Sequence, residues 1–200
     1  MILTALLALA ELPPPDYRDA LMRSAAEEVG RLARDEGMPA AEAFARRWER
    51  TVGADARVAY ELGLGWRLDH QDRKARTALD RALTLDPTLV EARYDRGEMR
   101  LNDGDLSGAA EDFLECTRLA PERWPGHFRL ADVAGRQGDT VGFERHLLDA
   151  LRYGFSFRDV TADPRWHTNL ADPKLGPILR RLVFVYQDEA VLEALEAPLP

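Results

Sequence analysis

Residues 73–87 read RKARTALDRALTLDP, and residues 107–121, which lie 34 positions further on, read SGAAEDFLECTRLAP. Both segments place small and large apolar residues at helical spacing, and both end on a proline. The same shift of 34 residues also aligns Gly63 with Gly97. Because self-similarity at a period of this length is typical of repeat proteins, the sequence predicts two-helix units that stack on one another.

Each predicted unit has a turn between its two helices. The turn of the second unit reads Asn102-Asp103-Gly104, and the turn of the third reads Gln137-Gly138-Asp139. Glycine takes the left-handed backbone conformation that ends many helices. Asp105, which follows the first of these turns, can cap the next helix through its carboxylate.

The units resemble tetratricopeptide repeats (TPR) when they are numbered from Ala56, Val90 and Trp124. That family has small residues at repeat positions 8, 20 and 27, where helices approach closely, and a bulky residue at position 24. The small positions fall on Gly63, Gly97, Ala131, Ala75, Ala109, Ala82, Cys116 and Ala150, and the bulky position falls on Leu79, Phe113 and Leu147. The resemblance implies an all-α fold, a right-handed α-solenoid of stacked antiparallel helix hairpins.

The third unit departs from the family pattern at two positions. Phe143 stands where a small residue is expected, and Phe155 replaces the closing proline. Terminal repeats are often atypical because they cap the stack. We therefore expect a third repeat here as well.

The predicted organisation has four parts. Residues 1–15 form an apolar N-terminal segment and a proline-rich linker, and residues 16–55 form a degenerate repeat or a capping helix pair. Three TPR units follow at 56–89, 90–123 and 124–155, and residues 156–200 supply C-terminal capping helices.

Composition and motifs narrow the class of function. The chain has 27 Lys and Arg against 35 Asp and Glu, a net charge of −8, which disfavours nucleic-acid binding. It lacks HExxH, GxSxG, CxxC and phosphate-loop motifs, so we expect no enzyme activity and no cofactor. The four histidines show no ligand spacing, so no metal site is expected, and Cys116 is predicted to be a buried, inert thiol.

The first ten residues, MILTALLALA, allow two interpretations. They end in a small-x-small pattern like that of a secretory signal, but no basic residue precedes the apolar run. An apolar segment that packs on the next helix, and with it a cytoplasmic location, is favoured. The alternative is a signal or anchor of an exported or periplasmic protein, with membrane contact confined to residues 1–10.

The TPR resemblance also implies a concave groove lined by the first helix of each unit. The residues carried over to this groove are Tyr60, Leu64, Arg67, Tyr94, Glu98, Leu101, Asn102, Phe128, Asp132 and Arg136. Three aromatic rings, one per unit, could form a ladder for a bound peptide, although they could instead pack against neighbouring helices. Tyr60 and Leu64 stand where TPR proteins that clamp a C-terminal carboxylate have Lys and Asn.

These features together predict a non-catalytic scaffold or adaptor that binds a peptide or protein partner in the groove. The alternative is a structural component of a larger or envelope-associated complex, which would use its terminal helices for contact.

Overall fold

The computed structural model describes residues 15–187 and 189–197, and throughout that part of the chain the regular elements are helices. They are α1 (Pro15–Asp35), α2 (Met38–Thr51), α3 (Ala56–Leu68), α4 (Asp72–Leu85), α5 (Val90–Asn102), α6 (Leu106–Leu119), α7 (Trp124–Gln137), α8 (Thr140–Arg152), α9 (Pro164–Ala171), α10 (Leu175–Tyr186) and α11 (Glu189–Glu196). A short 3-10 helix spans Phe157–Val160. Helices α3, α5 and α7 begin at Ala56, Val90 and Trp124, where the sequence numbering places the start of each unit.

The chain divides into two compact units, residues 1–99 and 100–200, with the division inside α5. In the first unit α1 packs on α2 and α3, and α3 packs on α4. The expected small and bulky repeat positions meet between α3 and α4. A Cβ atom added at Gly63 would lie 3.0 Å from the Leu79 side chain. Leu79 is fully buried, and its bulk favours a small residue on the facing helix.

Aspartate side chains cap at least four of the helices, α3, α6, α8 and α9. Asp55 accepts hydrogen bonds from the backbone amides of Arg57 and Val58 at 2.9 and 3.0 Å. Asp105 and Asp139 each accept one backbone amide at 2.9 Å, from the third residue that follows them. These carboxylates satisfy amides that the helix itself leaves unpaired.

The second unit contains α6 to α8, with α6 packed on α7 and α7 on α8. Gly104 and Gly138 both have positive φ, 81° and 74°, as expected for the turns that end α5 and α7. Phe143, which breaks the small-residue pattern, is fully buried on α8. A side chain at Gly135 would lie 3.2 Å from the Phe143 ring, so the small residue of this contact has moved to the facing helix α7.

The remaining helices of the second unit join the same core. α10 packs on α8 and α9, and α11 packs on α9 and α10. Trp166 of α9 is 1% exposed and lies in one buried cluster with Phe128 of α7. The C-terminal helices therefore complete the hydrophobic core next to α7 and α8.

No helix within residues 15–187 and 189–197 combines the length and the apolar character needed to cross a membrane. The segment MILTALLALA, for which packing and export were both considered, lies outside the described residues.

Candidate protein-binding surface

Five of the residues expected in the groove lie in the first unit. Tyr60, Leu64 and Arg67 follow one another at helical spacing along α3, so they share one side of it. Tyr94 and Glu98 have the same relation on α5. Arg67 is exposed, and the other four are partly exposed.

Asp95 of α5 connects the two helices. The Tyr60 hydroxyl donates a hydrogen bond of 2.9 Å to Oδ2 of Asp95, and Arg67 pairs with Oδ1 of the same carboxylate. Burial, and then the nearby Asp95 charge, raise the pKa of Tyr60, so its hydroxyl stays protonated as a donor. We call Tyr60, Leu64, Arg67, Tyr94 and Asp95 the α3–α5 face, since Asp95 fixes α3 and α5 next to each other there.

The expected groove residues of the second unit are placed differently. Leu101, Phe128 and Asp132 are 1%, 4% and 4% exposed. The Phe128 ring lies 4.5 Å from the Phe155 ring and 4.7 Å from the Trp166 ring, centroid to centroid. These three residues are therefore buried, and the Phe128 ring packs against neighbouring rings.

Three arginines surround the buried Asp132. Its carboxylate lies 3.7 Å from Arg129, 3.0 Å from Arg136 and 3.4 Å from Arg165. Arg165 belongs to α9, so the C-terminal helices supply part of this neutralisation. Arg136 also donates a hydrogen bond to the carbonyl of Leu101 at 3.2 Å. Of the expected groove residues in this unit, Arg136 and Asn102 are exposed.

A cavity of about 740 Å³ opens among α2, α3 and α4 in the first unit. Its apolar wall includes Trp48, Leu62 and Trp66, and its rim carries charges of both signs, among them Lys74, which lies 3.7 Å above the Trp66 ring. The indole nitrogen of Trp48 is buried without a hydrogen-bond partner in the described part of the chain. The cavity can accept an apolar group.

Sequence reasoning missed this cavity. It depends on small side chains from three different helices, Ala45, Ala59 and Ala78, which together leave the space open. Trp48 and Trp66 lie on the helices that precede and follow the short connection at Gly53 and Ala54, and this pair of large rings could have indicated the cavity.

The helix pairs and their recurring starts define an all-α protein with the helical-repeat fold of TPR solenoids, and the expected fold class is confirmed. No protein-family profile and no curated protein matches the sequence.

Solved structures of MamA share this fold. A MamA double mutant from RS-1 is 16% identical, with 86% of this chain and 93% of that chain covered and a TM-score of 0.65. MamA from residue 41 to its end, from Desulfovibrio magneticus RS-1, is 14% identical, with 88% and 97% covered and a TM-score of 0.65. MamA from AMB-1 is 15% identical, with 90% and 100% covered and a TM-score of 0.59. At these identities the similarity shows the fold.

Proposed function

We propose that this protein is a non-catalytic protein–protein interaction scaffold that binds a peptide or protein partner on the α3–α5 face. The observation that carries the proposal is the position of this face in a helical-repeat fold. Partly exposed aromatic, apolar and charged side chains from two successive first helices lie there, and Asp95 holds them together.

The chemistry of the face suits an extended or helical peptide. The rings of Tyr60 and Tyr94 offer apolar area with few rotatable bonds, and this limits the entropy lost on binding. The exposed Arg67 adds a positive charge that can bond to acceptor groups of a partner. Since Tyr60 and Leu64 replace the Lys and Asn of the carboxylate clamp, we propose an internal segment of the partner rather than its C-terminus.

The surroundings of the two buried carboxylates support a non-catalytic role. Asp112 lies 2.9 Å from Arg100, and Asp132 contacts three arginines. Both carboxylates are thus engaged in ion pairs that stabilise the second unit. A catalytic acid or base would instead need to reach a substrate.

Replacing Tyr60 and Tyr94 with alanine in one variant is expected to weaken partner binding about 100-fold or more, because buried tyrosines contribute strongly to protein interfaces. Partners captured by the wild type would be identified by mass spectrometry, and each purified partner would then be titrated against both proteins. Tyr60→Phe keeps the ring and loses the bond to Asp95, so it separates ring contact from that hydrogen bond. Tyr186→Ala, on the exposed end of α10, is the matched control. A folded double variant that binds the partner as tightly as the wild type would contradict the proposal.

A second candidate function, assembly through the terminal helices, is favoured by one observation. Phe184, Val185 and Tyr186 at the end of α10 are 81%, 62% and 50% exposed. Consecutive exposed apolar residues are typical of contact surfaces. If the protein acts in this way, Tyr186→Ala weakens partner binding and the double variant on α3 and α5 does not.

A further inference from the structure

We propose that His127, His146 and Asp149 form a binding site for a zinc ion or a similar divalent transition metal. His127 lies on α7, and the other two residues lie one turn apart on α8. One ligand atom from each residue lies within 4.8 Å of the other two. Two imidazoles and one carboxylate are a donor set that zinc accepts, with water in the fourth position.

The hydrogen bonds of His127 prepare it as a ligand. Its Nε2 lies 2.9 Å from the carbonyl oxygen of Pro121. A carbonyl oxygen only accepts, so Nε2 carries the proton and Nδ1 keeps its lone pair. Nδ1 lies 4.0 Å from Oδ2 of Asp149. The second ring nitrogen of metal-bound histidines commonly donates to a carbonyl in this way. The Tyr153 ring stacks on the imidazole at 5.2 Å and holds its orientation.

His146 adds the second imidazole. Its Nδ1 is buried and has no hydrogen-bond partner within the described residues. Nη2 of Arg145 donates to Nε2 of His146, so Nδ1 carries the proton of the neutral ring. His146 becomes a ligand when Arg145 turns into solvent and leaves a ring nitrogen free of a proton.

The distances require a small adjustment. Donor atoms around a tetrahedral zinc ion lie about 3.3 Å apart, since each is about 2.0–2.1 Å from the metal. The present separations, which are at most 4.8 Å, therefore close by up to about 1.5 Å through torsional adjustment of partly exposed side chains. Arg145 opposes binding, because its Nη2 lies 3.1 Å from Nε2 of His146. Its side chain is exposed and can turn into solvent.

Titration calorimetry of the tag-free, metal-stripped full chain with zinc chloride tests the site. One zinc ion is expected to bind per chain, with at least about tenfold weaker binding in His146→Ala and in Asp149→Asn. His70→Asn and His167→Asn remove imidazoles outside the cluster and are expected to bind zinc like the wild type.

Circular dichroism without zinc checks that each variant is folded, and Asp149→Asn serves if His146→Ala does not fold. Absence of zinc binding by the wild type would overturn the proposal. So would zinc binding that survives in both cluster variants, or that depends on His70 or His167.

Discussion

Replacing Trp166 with alanine is expected to lower the free energy of unfolding of the second unit by about 3–5 kcal/mol, the usual range for a buried tryptophan. Trp166 is 1% exposed, and its ring stacks on Phe128 at 4.7 Å and on Phe143 at 6.1 Å. Alanine would leave a cavity between α9 and two other helices. Because the stability of whole proteins is about 5–15 kcal/mol, we expect α9 to α11 to separate from α7 and α8 before the rest unfolds.

Urea denaturation followed by circular dichroism measures this loss, and limited proteolysis shows whether residues 164–196 become accessible. Trp166→Phe keeps most of the ring and removes an indole N–H that has no partner in the described residues. The free energy of unfolding should therefore fall much less in this variant than in Trp166→Ala. Phe184→Ala, an exposed aromatic of the same C-terminal region, should change stability by less than about 0.5 kcal/mol. Equal stability of Trp166→Ala and the wild type would show that α9 does not pack on this core.

The second large effect is expected at Asp132. Asp132→Ala should lower the free energy of unfolding by about 3 kcal/mol or more, because it removes the buried carboxylate that neutralises three neighbouring arginines. Arg165 retains its ion pair with Asp163 at 2.7 Å, whereas Arg129, whose side chain is 13% exposed, remains close to two other cations. Arg136 loses its bond to the carboxylate as well.

Chemical denaturation of Asp132→Ala and Asp132→Asn separates charge from shape, since asparagine keeps the size of the side chain. We expect asparagine to recover only part of the loss, because it brings no negative charge to the three arginines. Glu111→Ala, an exposed acid on α6, is the control for the change in net charge. If Asp132→Ala destabilised the protein no more than Glu111→Ala, the ion cluster would not contribute to stability.

The periodicity of the sequence predicted the repeating part of the fold well. Its small and bulky positions are contacts between neighbouring helices, and such contacts recur with the repeat. Leu79, Phe113 and Leu147 are all fully buried, as position 24 requires. Phe143 shows how a departure is tolerated, since Gly135 on the facing helix makes room for it.

The repeat pattern could not predict which of the expected groove positions another segment of the chain covers. Phe128 occupies the repeat position of Tyr60 and Tyr94, yet it is buried because Phe155 and Trp166 pack on its ring. Those two residues lie after the repeats or at their end, so the period contains no information about them. The partly exposed residues of the first unit remain the candidates for partner contact.

The cluster of His127, His146 and Asp149 was missed for a different reason. Spacing along α8 brings together only His146 and Asp149, whereas His127 lies on the preceding helix α7. Pairing the start of the first helix with the end of the second in each hairpin would have brought these residues together. The prediction that no metal site exists considered spacing along the chain alone.

Hydrogen–deuterium exchange of the full chain, with and without a purified partner, tests most directly whether this protein is a scaffold that uses its first helices. Protection on binding is expected at residues 60–67 of α3 and 94–98 of α5. The same pattern should be absent in the variant that lacks both tyrosines. Protection confined to α10 and α11, with α3 and α5 unchanged, would contradict the proposed binding face and favour assembly through the terminal helices.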